Sequence, residues 1–301
     1  MSTADAAPAP RPRIPGWIRR ALGLAPQGPY YAFYRHPFLI RITHWLNAVI
    51  LFVMLLSGLQ IFNAHPALYW GKSADFDHPI LSMTAFGHDT TVTQGITQIG
   101  PWHFDTTGVL GASRVDGQLV ARGFPDWATI PGPQWLAMGR LWHFFFAWLF
   151  VTNGLIFAAY ALGTRHAQEE LIPNLHDLKN LPHEIVTHAQ LKFPKGEEAR
   201  HYNGLQKMAY GAVIFIVAPL IVLTGLTMSP TLDAAFPELL WIFGGRQTAR
   251  TIHFLCAFSF LAFFIVHIVM VVLSGTWNNI RSMITDRYAI EPETKTESGH
   301  G

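Results

Sequence analysis

Four histidines stand where an imidazole is costly to keep. The chain has 15 His, and only His44, His143, His253 and His267 fall inside long apolar runs. An ionisable side chain at such a position is a candidate for chemistry by default. His253 and His267 bound the stretch HFLCAFSFLAFFIVH. Fourteen residues of α-helix turn through about 1400°, some 40° short of four full turns, so the two rings share one face about 21 Å apart. One metal ion cannot touch both, whereas two ligand-binding levels can. A lone intramembrane His can simply hydrogen-bond a neighbouring helix. Four of them, two in register on one helix, weigh against that plainer reading.

The surrounding residues narrow the ligand. Zinc recruits a third or fourth Cys, His or carboxylate, but no Asp or Glu lies in these runs and Cys256 is the only cysteine. That count also excludes an internal disulfide, a cysteine-ligated iron–sulfur cluster and the C-x-x-C-H attachment of a c-type haem. Two imidazoles facing each other from different helices suit a six-coordinate b-type haem. Three of the histidines have an arginine three positions earlier and an aromatic residue one later: Arg41, His44, Trp45; Arg140, His143, Phe144; Arg250, His253, Phe254. A residue at i−3 lies on the same helix face one turn away, so each arginine is placed to meet a haem propionate. The competing reading is an arginine that snorkels to the headgroups. Gly58 follows His44 by fourteen positions, and Gly211 and Gly225 are fourteen apart. A flat macrocycle needs small residues where it nears a backbone, although glycine is common in membrane helices anyway. Cys256 reads as packing, and His65, His78, His88 and His103 as solvated loop residues.

These residues need membrane helices to position them. Half the chain is hydrophobic and 13% is charged, against about 25% charged in soluble domains. Apolar runs at about 38–62, 136–162, 204–228 and 247–274 each reach the roughly 20 residues that cross a bilayer. The first is too long for a cleaved signal segment, and Arg19-Arg20 is not followed at once by an apolar core. Lys and Arg number 5 in 1–37, 5 in 163–203 and 3 after 274, but 4 in the first and third loops together. Thirteen against four places both termini in the cytoplasm. His44 and His267 then fall at the inner level, and His143 and His253 at the outer.

The expected fold is an all-α integral membrane bundle of four transmembrane helices over 38–288. A cytoplasmic tail (1–37), a periplasmic insertion (63–135), a cytoplasmic loop (163–203) and a disordered cytoplasmic tail (289–301) complete it. The insertion contains GVLGASRVDGQLVARG, 108–123, whose Asp116-Gly117 between β-prone runs predicts a hairpin. Its length and its Trp70, Trp102 and Trp127 suit a docking surface. HEIVTHAQLKF, 183–193, reads as a short amphipathic surface helix. Pro219 in the third span is tolerable in a bundle.

The motifs RITHW (41–45), RLWHF (140–144), YNGLQKMAY (202–210) and the His253/His267 spacing resemble the membrane cytochrome b subunits of bacterial respiratory oxidoreductases. That family includes those of nickel–iron hydrogenases, formate dehydrogenases and thiosulfate reductases. SGLQIFNAHPALYWG (57–71) is similar to longer members paired with exported molybdopterin oxidoreductases. The resemblance implies two haems stacked across the inner (cytoplasmic) membrane, His44/His267 inner and His143/His253 outer. It also implies electron exchange between the quinone pool and a periplasmic partner, and a quinone site near the inner haem. Candidates for that site are His201, Asn203 and Gln206, with Asn203 also a plain helix N-cap. Two other functions stay open: a stand-alone dihaem quinone reductase fed by a small molecule such as superoxide, and a haem-free transporter, which would be colourless.

Overall fold

A computed structural model describes residues 31–89, 91–190 and 202–290. In chain order the principal elements are strand Tyr31–Tyr34 (β1), helix Phe38–Phe62 (α1), strands Ala67–Leu68 (β2), Leu81–His88 (β3), Thr91–Ile99 (β4), Trp102–Asp105 (β5), Ala112–Val115 (β6) and Gln118–Ala121 (β7), helices Leu136–Gly163 (α2), Leu175–Ala189 (α3), Gly204–Thr227 (α4) and Arg246–Thr285 (α5), and strand Arg287–Ile290 (β8). Helices α1, α2, α4 and α5 are long and apolar enough to cross a membrane. Only 11–22% of each apolar window is buried within the protein. The remaining apolar surface needs lipid rather than water around it.

The four spans start and end within a few residues of the sequence expectation, except that α5 continues to Thr285. Its helix breaks at Gly275, where φ is 129° and ψ is 83°, a conformation that only glycine adopts cheaply. Helix α4 widens into a π-turn over Val213–Val217. The cause is Pro219, which lacks an N–H and crowds the carbonyl four residues earlier, at Phe215. The surface helix begins at Leu175, eight residues before the expected 183, and runs through Pro182. Its start is fixed by a reciprocal cap between Asn174 and Asp177.

An all-α description is too narrow. The expected hairpin is present as β6–β7, paired Val115 with Gln118, and its turn has positive φ at Asp116 (50°) and Gly117 (83°), as a type I′ turn requires. Beside it lies an antiparallel sheet of order β2-β3-β4-β5 that was not expected. A further ribbon pairs β1 with β8, Tyr31 opposite Ile290. The region expected as a cytoplasmic tail at 1–37 thus contains β1, and the tail expected to be disordered over 289–301 begins inside β8.

The chain falls into two compact units. The larger comprises Ile42–Ile172 and Lys207–Phe263. In it one buried cluster, Ile50, Phe150, Ile221 and Cys256, joins four helices. A second, Leu59, Phe62, Leu68, Met83, Phe124 and Ala128, joins the end of α1 to the sheet region. Buried Cys256 is core, as expected. Asn63 closes the insertion on itself: its side chain donates to the Phe124 carbonyl at 3.1 Å and accepts from the Phe124 N–H at 2.6 Å. Thr251 donates to the Tyr69 carbonyl (2.7 Å) and Thr248 accepts from the Gly71 N–H (2.7 Å), fastening the insertion to α5. The described residues of the smaller unit are 31–41, 173–190, 202–206 and 264–290. There Asn278 brackets Ala289 with two bonds, 2.9 and 2.8 Å, and Arg35 lies over the Tyr288 ring at 4.6 Å.

Candidate functional site

His143 of α2 and His253 of α5 come together in the larger unit. Their ring centroids are 6.2 Å apart with planes at 64°. Each ring is fixed by the same construction on a neighbouring helix. His143 Nδ1 lies 3.2 Å from the Met54 carbonyl and 3.1 Å from the Ser57 hydroxyl, both on α1. His253 Nδ1 lies 2.9 Å from the Ile221 carbonyl and 3.3 Å from the Thr224 hydroxyl, both on α4. A carbonyl oxygen can only accept, so the hydrogen of each neutral ring sits on Nδ1 and the lone pair on Nε2. That is the tautomer a metal ligand needs.

Two glycines complete the seat. A Cβ placed on Gly58 would come 3.3 Å from His143 Cε1, and one on Gly225 would come 3.2 Å from His253 Cε1. Gly58 and Gly225 thus give way to the rings themselves. Gly211 does not: its missing Cβ makes room for the Leu171 carbonyl, 3.2 Å away. Because α1 runs Met54-x-x-Ser57-Gly58 and α4 runs Ile221-x-x-Thr224-Gly225, the carbonyl, hydroxyl and gap recur at the same helical intervals.

A haem iron fits this geometry. Two imidazoles sharing one iron, each with a nitrogen roughly 2 Å from the metal and about 1 Å from its own ring centre, would have ring centres about 6 Å apart. The observed 6.2 Å matches, and the Nδ1 bonds leave Nε2 of both rings for coordination. Among the described residues no group of three or more His, Cys, Asp or Glu could hold a bare metal ion.

The three arginines differ. Arg250 donates to the His65 backbone carbonyl and its guanidinium lies 5.4 Å from the Phe62 ring centre. Arg41, in the smaller unit, donates to the Ile284 carbonyl and pairs with Asp286 at 3.7 Å. Arg140 is exposed and lies over Phe144 at 5.5 Å. Arg140 thus has its charged end open to an incoming anion, while the other two already hold protein oxygens. His44 stands in α1 within the larger unit and His267 in α5 within the smaller.

Of the quinone candidates, His201 lies outside the described residues. Asn203 and Gln206 cap the start of α4: the Asn203 side chain accepts from the Gln206 N–H (2.9 Å), and the Gln206 side chain accepts from the Asn203 N–H (3.2 Å). The Asn203 amide also meets His188 Nε2 at 3.2 Å. Glu184 accepts from the Gly204 and Leu205 N–H groups at 3.3 and 2.8 Å.

The insertion departs from expectation at His65, which is not a solvated loop residue: it is half-buried and stacks on Tyr69, centroids 5.7 Å apart, and burial first, then the Arg250 charge, hold its pKa below the ordinary value. Both line a cavity of about 520 Å³ together with Arg122. Arg122 is 5% exposed and donates to Thr129 (2.7 Å), the Gly132 carbonyl (2.5 Å) and Gln60 (3.4 Å). Ser57 and Thr224 were also missed. Their signal was a hydroxyl residue directly before a glycine in two different spans, but only the fold shows that both dipeptides face a histidine.

Residues 35–286 match the family described as prokaryotic cytochrome b561. A relative from Azospira oryzae, which carries the name protein-methionine-sulfoxide reductase subunit YedZ1, is 26% identical over 245 residues, covering 79% of this chain and 90% of that protein. No solved structure matches. A match that takes in all four spans, together with the paired imidazoles, makes the chain a member of the prokaryotic cytochrome b561 family, a haem-binding integral membrane electron-transfer protein.

Proposed function

We propose that the chain binds two b-type haems and relays electrons between membrane quinone and a periplasmic, molybdopterin-dependent oxidoreductase. The observation that carries this reading is the His143–His253 pair, 6.2 Å apart with both Nδ1 atoms engaged. His44 and His267 are the proposed ligands of the second haem, one level away, since His267 follows His253 by fourteen residues on one helix. When bound, each haem supplies a one-electron carrier. The protein's own part is to fix the ligands, hold their tautomer and exclude water.

The partner rests on the name of the Azospira relative, a reductase subunit, and on the insertion. Trp70, Trp102 and Trp127 are all exposed there, and exposed tryptophans are enriched in protein interfaces. The insertion is proposed to face the periplasm of the inner membrane, with both termini in the cytoplasm, following the Lys/Arg asymmetry. Quinone is proposed to meet the protein near the start of α4. A quinone oxygen there must displace one of the Asn203–Gln206 cap bonds. Arg140 is the proposed propionate contact for the outer haem.

The test is haem stoichiometry in detergent. Two low-spin b-type haems per chain are expected, and a ratio near one contradicts the two-level reading. His44→Ala and His267→Ala should each deplete the same haem. Reduction by a quinol analogue, followed by reoxidation on adding partner and acceptor, tests the relay.

A further inference from the structure

We infer that Ser57 and Thr224 are positioning residues that set the reduction potential of the haem held between His143 and His253. The inference rests on the reading of that pair as axial ligands.

Both hydroxyls belong to fully buried residues, each 0% exposed. Each has a settled hydrogen and an oxygen aimed at a ring nitrogen. Ser57 Oγ donates to the Met54 carbonyl at 3.2 Å, and Thr224 Oγ1 donates to the Leu220 carbonyl at 2.7 Å. With its proton spent on its own helix, each hydroxyl meets the histidine Nδ1–H as an acceptor, at 3.1 Å for Ser57 and 3.3 Å for Thr224. Each Nδ1–H is thus shared between a carbonyl and a hydroxyl. Ser and Thr in helix interiors commonly bond back to a carbonyl one turn earlier and do nothing more. Here a back-bond recurs on two helices, to the carbonyl three residues earlier at Ser57 and to the carbonyls four and three residues earlier at Thr224 (2.7 and 3.2 Å), each time one residue before the glycine that admits the ring. Coincidental back-bonding does not account for that repetition.

The chemical consequence follows from the acceptors. Oxygens that draw on Nδ1–H make the imidazole a stronger donor through Nε2 and favour the ferric state. Removing one acceptor weakens that donation, so the potential should rise. The two sites differ in degree. At His143 the hydroxyl (3.1 Å) is nearer than the carbonyl (3.2 Å), whereas at His253 the carbonyl (2.9 Å) is nearer than the hydroxyl (3.3 Å). Loss of Ser57 oxygen should therefore shift the potential more than loss of Thr224 oxygen.

The experiment is a mediated redox titration of the full-length haem-loaded protein, followed at the haem absorption band, for the wild type, Ser57→Ala, Thr224→Val and Thr224→Ser. Haem content is measured on the same samples. The expected result is unchanged haem content and an upward shift of one haem's midpoint, larger in Ser57→Ala than in Thr224→Val. Thr224→Ser should return the midpoint to the wild-type value, and the other haem should not move. Unchanged midpoints with full haem content overturn the proposal, as does an equal shift of both haems, which would report a general loosening. Should Ser57→Ala lose haem, Ser57→Thr must keep it, and equal loss in both variants also overturns the proposal. His143→Ala and His253→Ala test the underlying reading separately: if both retain all haem, the ligand assignment fails whatever the hydroxyl variants do.

Discussion

Two polar clusters in this protein use the same kinds of group to opposite ends. At the start of α4, Asn203, Gln206, Glu184 and His188 bond one another and the first N–H groups of the helix. Their hydrogen-bonding capacity is largely spent on ending a helix cleanly. At the seat between α2 and α5, carbonyls and hydroxyls converge on one nitrogen of each ring and leave the other for a ligand. Polar residues in an apolar setting are therefore informative only when their partners are known. A cap is self-sufficient, whereas an imidazole held by one nitrogen is incomplete without something at the other.

The sharpest way to break this contrast is to fill the space beneath the rings. Gly225→Leu and Gly58→Leu should each cost most of the haem held by His143 and His253, because even a Cβ comes within 3.2 or 3.3 Å of the ring and a larger group must displace it. Pyridine haemochrome assay against protein concentration checks this, and full occupancy in both variants would mean that the rings are not fixed as described. Removing the cap at α4 with Asn203→Ala should instead cost about 1 kcal/mol of stability with haem content unchanged, read from thermal unfolding in detergent.

The insertion offers effects of its own. Arg122→Met leaves the Gly132 carbonyl and the Thr129 hydroxyl without their donor. Each lost bond is worth about 1–2 kcal/mol, partly offset by removing a buried cation, so a net loss of about 2 kcal/mol is expected in the same unfolding assay. Trp127→Ala, at a side chain 77% exposed, should leave both haems in place and weaken coupling to the partner about tenfold if it is an interface anchor. Partner-dependent haem reoxidation measures that. Deleting 108–122 is a poorer probe, because it removes Arg122 and strands that pack on β4: a Cβ on Gly95 would meet Ala112 N and Leu110 O at 2.5 Å.

The smallest effect is a pH dependence. His65 has a pKa depressed by burial and by Arg250 from its ordinary 6.5. Its folded form resists protonation more than its unfolded form, so its contribution is full above about pH 6.5 and is lost as pH falls toward the folded value. Amide protection factors across β2–β5, after correction for the intrinsic pH dependence of exchange, should fall on acidification through that range, and the dependence should flatten in His65→Gln.

Much of this was legible in the sequence, for identifiable reasons. The spans follow from runs of apolar residues that lipid requires, and the β6–β7 turn from Asp116-Gly117, whose conformations few other pairs accept. The pairing of β1 with β8 joins residues some 250 positions apart, and no local pattern announces it. The β2–β5 sheet was hidden because its strands mix Thr, Gln and Gly with apolar residues and face outward along β5, where all four side chains are exposed. The arginine motif pointed to one chemistry for Arg41, Arg140 and Arg250, yet Arg41 and Arg250 hold protein oxygens that only the fold brings near. Ser57 and Thr224 carried a repeated signal, but a hydroxyl before a glycine acquires meaning only once a histidine is found opposite.

The central claim is that His143 and His253 serve one haem together. The most direct measurement is haem per chain in His143→Ala, His253→Ala and the double variant, alongside the wild type. A shared haem predicts that each single variant loses the same one haem and that the double variant loses no more. Loss of a second haem in the double variant, with distinct spectra in the two single variants, would contradict the claim.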